Sequence, residues 1–339
     1  MLQVLNTTPY PATLAVFPSP GGVECAYAAV KISYDLTTGV PQVAASQAMF
    51  LASDVYWGDP ASSSLRAAAD LTLLKPSTDV LLLGRAVAPA GPVQSMEVAL
   101  RVGTLSRRLR VFGERVWQRE GEGWRPSAPR PFERLPLRWE LAFGGQSRAH
   151  PDHPPEAELR NPVGRGFVAS WDTDPAGLPL PCIEDPEALL RHPHERPEPA
   201  GMAPVAAAWA GRARHAGTYD AAWQKSRAPY LPLDFDPRFF QVAPPALIAP
   251  QRLVGGESVE LDGMTGGGRV GFTLPRPDLH LAFDFAGRHI AAEPLLDTVL
   301  IEPDMARLQM VWRAELAVDK HLLKLRALHV SGRAEVLPS

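Results

Sequence analysis

Two histidine-bearing stretches carry the side chains best suited to hold a metal ion: His150-Pro-Asp-His153 and His192-Pro-His194-Glu195. Imidazole nitrogens with a carboxylate are a donor set for zinc or another divalent cation. Each stretch is broken by proline, sits in a polar loop and meets no ligand-spacing rule, so the histidines read as exposed loop residues and no metal is expected. Asp234-Phe-Asp236-Pro-Arg238 offers paired carboxylates of the kind acid–base catalysis uses. The same i, i+2 spacing serves loop hydrogen bonding, with Arg238 as partner. Asn161-Pro-Val-Gly-Arg-Gly-Phe167 places Arg165 between two glycines, which permit φ > 0 and close backbone approach. Such a loop holds a ligand anion or peptide carboxylate, or wraps its own sheet. Gly266-Gly-Gly-Arg269 lacks the strand-then-helix setting of a phosphate cradle and reads as a hairpin tip. No Gly-x-x-x-x-Gly-Lys-Ser/Thr loop, Gly-x-Ser-x-Gly elbow or His-Glu-x-x-His pair occurs. The reading is therefore no catalytic residue, no cofactor and no metal.

The elements that would position these residues are mostly strands. Thirty-six of 339 residues are proline, well above the usual level of about 5%. Each removes a backbone donor and fixes φ, which disfavours a helical protein. In residues 1–143, Tyr27-Ala-Ala-Val-Lys-Ile-Ser-Tyr34 is rich in β-formers, and Asp79-Val-Leu-Leu-Leu-Gly84 suits a strand buried on both faces. Met96, Val98, Leu100 and Val102 alternate with Glu97, Ala99 and Arg101, the period of a half-buried strand. Arg134 to Phe143 reads as the last strand of this segment.

Residues 144–250 carry clustered prolines and many aromatics, Trp171, Trp209, Tyr219, Trp223, Tyr230, Phe235, Phe239 and Phe240 among them. They read as long ordered loops packed across the sheets, because rings of this size dominate the energetics of a core. One short helix is expected over Thr218–Ser226, capped by Thr218 and stopped by Pro229. Residues 251–339 return to strands: two runs flank Gly266-Gly-Gly268 as a hairpin, and Leu308, Met310 and Trp312 alternate with Gln309, Val311 and Arg313. The expected fold is mainly β, with two antiparallel, sandwich-like sheet regions, long Pro-rich loops and few short helices. The two strand-rich ends are free to share one sheet system.

A net charge of −3 argues against general nucleic-acid binding. Residues 101–138 hold ten arginines against four glutamates, and residues 172–198 hold seven acids against two arginines. These read as solvated faces that offset one another, or as a surface shaped for protein partners. The two distant cysteines suggest no disulfide and a reducing compartment. With no basic leader and no long apolar run, no signal peptide or membrane span is expected, and the cytoplasm is the expected location.

Several motifs in order carry a family resemblance. They are Ser64-Leu-Arg66, Ala69-Asp-Leu71, Lys75-Pro-Ser-Thr-Asp79-Val-Leu-Leu-Leu-Gly84, Glu140-Leu-Ala-Phe-Gly-Gly145 and Asn161-Pro-Val-Gly-Arg-Gly-Phe167. Downstream stand Ala216-Gly-Thr-Tyr-Asp-Ala-Ala-Trp223, Tyr230-Leu-Pro-Leu-Asp-Phe-Asp-Pro-Arg-Phe-Phe240 and Leu253-Val-Gly-Gly-Glu-Ser-Val-Glu-Leu261. Over about residues 5–280 the chain resembles the domain-of-unknown-function 2169 family of bacterial type VI secretion accessory proteins. The resemblance implies a non-enzymatic adaptor or chaperone that binds an effector toxin, a PAAR-type tip protein or both and helps load it onto the valine–glycine-repeat spike. It carries over no catalytic residue. Broad loop surfaces bearing Trp, Tyr and Arg suit such a role, because these residues are enriched at interface hot spots. The expected partner-binding residues are Arg165, Phe167, Trp171, Tyr219, Trp223, Asp234, Asp236 and Arg238. Other readings are a carbohydrate-active or metal-dependent hydrolase using Asp234, Asp236 and His153, and a carbohydrate-binding module with Trp171, Trp209 and Trp223 as its platform.

Overall fold

The strand Glu24–Asp35 shows how the sequence builds the fold. Its even-numbered residues Ala26, Ala28, Val30, Ile32 and Tyr34 turn one way and are buried in the main core. It pairs along its length, antiparallel, with Arg307–Ala317, Val30 lying opposite Trp312. In this computed structural model, which describes residues 2–333, the two strands form the middle of a six-stranded sheet. Ala12–Pro18 and the short Gln42–Val43 join on the side of Glu24–Asp35. On the other side lie Leu295–Glu302 and then Asp79–Leu82, the last pair running parallel.

A five-stranded sheet follows the order Ile183–Glu184, Leu105–Phe112, Ser95–Val102, Ser258–Asp262 and Val270–Thr273. A four-stranded sheet has the order Gln3–Asn6, Leu325–Arg333, Asp278–Phe285 and Arg288–Ala292. The first and last segments thus interleave in every large sheet. Pairing is mostly antiparallel, and the protein is mainly β as its composition predicts. Val30, Met310, Val98, Leu109, Leu261, Leu281, Phe283 and Leu328 belong to one continuous cluster shared by the three sheets. Burying each such side chain contributes roughly 1.5–3 kcal/mol.

Two expectations are corrected. The strand expected over Arg134–Phe143 is broken into Arg134–Pro136, a 3₁₀ turn at Trp139–Leu141 and Phe143–Gly144. Pro136 lacks the N–H to continue a ladder, and Trp139 Nε1–H donates to the Ala203 and Pro204 carbonyls, fixing the turn to the loops. The helix expected from Thr218 covers only Ala221–Ser226, and its cap is Asp220, which accepts from Trp223 N–H. Thr218 is engaged elsewhere, donating from both N–H and Oγ1 to Asp234.

The basic and acidic stretches meet. Arg107 pairs with Asp185 at 2.7 Å, Arg108 with Glu187 at 3.1 Å, and buried Arg115 with buried Glu184. Cys25 and Cys182 are free and buried. No helix among the described residues is long and apolar enough to cross a membrane.

Candidate functional site

The Asn161–Phe167 loop wraps its own sheet. Arg165–Gly166 forms a short parallel ladder with Phe143–Gly144. A Cβ at Gly145 (φ 100°) would lie 2.5 Å from the Gly164 carbonyl oxygen, so the two glycine-rich stretches cross at backbone contact. Asn161 is fully buried and donates from Nδ2 to the Trp139 and Phe143 carbonyls. Arg165 Nε–H donates to the Glu140 carbonyl, and the Phe167 ring lies under the Arg196 guanidinium at 4.5 Å. The glycines serve the crossing of two chain segments, and Arg165 is turned to the backbone.

The histidines divide. His150 and His153 gather around Trp171, the His153 ring stacked on the indole at 4.8 Å and 5°. Among the described residues they form no three-ligand cluster with His192, His194 or Glu195. Asp234 and Asp236 are also committed separately. Asp234 holds Thr218, while Asp236 caps the turn Pro237–Phe240 and contacts Arg238 and His215. The Arg238 guanidinium holds the Asp236 carboxyl down to about 2, against an ordinary 3.8. Trp209 is buried and packs edge-on against Trp139. Trp171, Trp209 and Trp223 all lie outside strands, so they do not form a row on a sheet face.

What these bonds build is a projection over residues 217–235. Asp234 ties its two stems together, and Asp236 clasps its base through Arg238 and His215. Arg227 crosses it, donating to the Leu231 carbonyl and to the Pro20 carbonyl of the neighbouring hairpin. Trp223 Nε1–H donates to the Tyr230 carbonyl, and Tyr219 packs edge-on against Trp223 at 4.8 Å. Underneath, Leu231 and Phe240 pack on buried Cys25, Tyr27 and Leu73. On top, Leu233 is 86% exposed, Tyr219 53% and Tyr230 40%. Large apolar side chains are thus presented to solvent from a frame fixed by hydrogen bonds. Tyr230 and Leu233 were not among the expected partner-binding residues; their signal was their place in Tyr230-Leu-Pro-Leu233, between the helix and the Asp-Phe-Asp turn.

The projection stands on the sheet face that carries Cys25, Tyr27, Lys31 and Ser33. The same face holds a cavity of about 260 Å³ bounded by charged residues. Lys31 pairs with Asp70 at 2.8 Å, Lys75 with Asp79 at 2.8 Å and Asp297 at 3.4 Å, and Arg313 with Asp297 at 3.4 Å. Arg307 and Gln309 both donate to Glu302. Burial works against the charge on Asp297, but Lys75 and Arg313 outweigh it and hold its carboxyl below the ordinary range. Burial likewise opposes the charge on Lys75, and Asp79 with Asp297 holds its ammonium above the ordinary range. Arg313 also donates to the Asp70 and Thr72 carbonyls, so the network staples the 44–75 cover to the sheet. Arg66, which lines this cavity, and Arg138 flank Trp57 at 5.2 and 3.6 Å, and neither has a carboxylate partner among the described residues. None of this network was on the list of expected site residues. The sequence showed of it only the alternation of Leu308, Met310 and Trp312 with Gln309, Val311 and Arg313.

A family model described as an uncharacterized protein conserved in bacteria, DUF2169, matches residues 21–313. The chain belongs to the DUF2169 family. The DUF2169 match begins and ends later than the resemblance read from motifs. It takes in the projection, the charged cavity and the Asn161 loop, and leaves out the strands Gln3–Asn6 and Leu325–Arg333. No curated protein and no solved structure matches the chain.

Proposed function

We propose that this protein is a non-enzymatic adaptor acting in the bacterial cytoplasm, where it binds a type VI secretion effector toxin or a PAAR-type tip protein and helps load it onto the valine–glycine-repeat spike. The observation that carries the reading is the projection with Tyr219, Tyr230 and Leu233 exposed on a fixed frame. An interface anchor needs an apolar side chain that desolvates on contact and loses little conformational freedom, and tyrosines on a rigid base meet both conditions. Arg66, which lines the cavity on the same sheet face, and Arg138 beside it across Trp57 have no carboxylate partner among the described residues and favour a partner with acidic groups around its apolar contact.

Co-expression tests it. The toxin and tip protein encoded beside this gene are each produced with and without the adaptor. The expected result is a rise in toxin solubility and a co-eluting complex. Changing Tyr219, Tyr230 and Leu233 together to alanine should weaken that complex at least about 30-fold, or about 2 kcal/mol, with unfolding unchanged. Failure to associate with every neighbouring toxin and tip protein overturns the proposal.

A further inference from the structure

The outer face of the four-stranded sheet carries three side chains that no function described above uses. Asp284 and His289 sit directly opposite each other across the hairpin of Asp278–Phe285 and Arg288–Ala292. His329, on the adjoining strand Leu325–Arg333, is opposite Ala282, two residues before Asp284. Strand side chains alternate between faces, so all three project to the same side. Their ligand atoms all lie within 4.8 Å of one another. The two imidazole rings are 4.4 Å apart and tilted by 38°.

We infer that Asp284, His289 and His329 form a binding site for one zinc-class divalent cation. Two observations beyond proximity support it. First, the donors are free and oriented. Asp284 Oδ1 accepts the Gly287 N–H at 3.0 Å, which sets the carboxylate and leaves Oδ2 available. Neither the His289 nor the His329 ring has a hydrogen-bond or ion-pair partner among the described residues, whereas His215 and His280 each face an aspartate at 3.2 and 2.9 Å. Second, the surroundings leave room. On the hairpin side the cross-strand neighbours on that face are Ala282, Ala291 and Ala327, each only a methyl group, and on the other side Leu5 of Gln3–Asn6 lies opposite His329.

The chemistry selects the ion. Two imidazoles and one carboxylate suit zinc and its late first-row neighbours, while magnesium and calcium require oxygen ligands. Bonds of about 2.0–2.1 Å to a tetrahedral ion place its ligand atoms roughly 3.3 Å apart. Side-chain torsions close the remaining gap without moving the strands. Three ligands leave the fourth position open for water or for a donor from a docked molecule. His329 lies outside the span matched by the family model, so the site rests on this chain's own residues and is independent of the adaptor reading.

Calorimetric titration of the chelator-stripped full chain with Zn²⁺ tests it, with Co²⁺ as a visible-absorbing probe of the ligand set. The expected result is tight uptake of one ion per chain and a Co²⁺ spectrum of imidazole–carboxylate type. His289 is exposed, so His289→Ala should leave the fold intact while weakening Zn²⁺ binding at least about 10-fold; Asp284→Asn should do the same. The double variant His150→Ala/His153→Ala should bind as the parent does, and excess Mg²⁺ should not compete. The inference is overturned if the parent takes up no Zn²⁺, if His289→Ala binds as tightly as the parent, or if only the His150/His153 variant loses the ion.

Discussion

Asn161 donates both amide hydrogens to buried carbonyls, that of Trp139, which also accepts the Ala142 N–H, and that of Phe143. Asn161→Ala would take one of two donors from the Trp139 oxygen and strand the Phe143 oxygen, at a cost of about 1–3 kcal/mol for the stranded group. Urea denaturation should show the loss, and an unchanged midpoint would contradict the assigned role. Asp236 makes a prediction about acid. Its carboxyl is held at about 2 in the folded protein, against an ordinary 3.8. A lowered folded value means that the clasp on Arg238 contributes fully above the ordinary value and is lost as pH falls through about 2. Carboxyl NMR should place the Asp236 midpoint well below the ordinary range, and a midpoint near 3.8 would contradict the clasp. Asn161 was legible in the sequence as part of a glycine-bearing loop, and Asp236 as a loop carboxylate with Arg238 as its partner. Their partners Trp139 and His215 were not, because these are brought close only by the fold.

At the scale of elements, charge decides how loops are held to sheets. Arg115, three residues past Leu105–Phe112, pairs with Glu184 of the middle segment beside the ladder between Leu105–Phe112 and Ile183–Glu184, both side chains being buried. Arg115→Ala would strand a buried carboxylate and should cost about 3–5 kcal/mol, whereas replacing both residues by apolar ones of similar size should restore most of the loss. A double variant as unstable as the single would contradict this. Lys75 has the same standing in the cover over residues 44–75. Lys75→Met should destabilise the protein by about 3–5 kcal/mol and speed proteolysis within the cover; cleavage at the parental rate would oppose the staple. The strands themselves were readable: Asp79–Leu82 is buried throughout, and Ser95–Val102 alternates as its sequence does. The face of Arg307, Gln309 and Arg313 was not. Alternating polar residues ordinarily mark a solvated face, and only the fold shows that a charged cover lies over this one.

At the scale of the molecule, strands from both ends of the chain interleave into sheets that share one core, and the Pro-rich middle segment lies across them with its aromatic projection outward. Composition made the β character legible, since 36 prolines leave little scope for helices. It did not show which aromatics face out. Trp209 and Tyr219 look alike as a proline-rich loop's aromatics, yet one is packed on Trp139 and the other is half exposed. The adaptor account therefore turns on the projection. Hydrogen–deuterium exchange of the protein, alone and in complex with its toxin or tip partner, tests this most directly. The account predicts that protection on binding centres on residues 217–235; a stable complex that leaves these amides exchanging as in the free protein would contradict it.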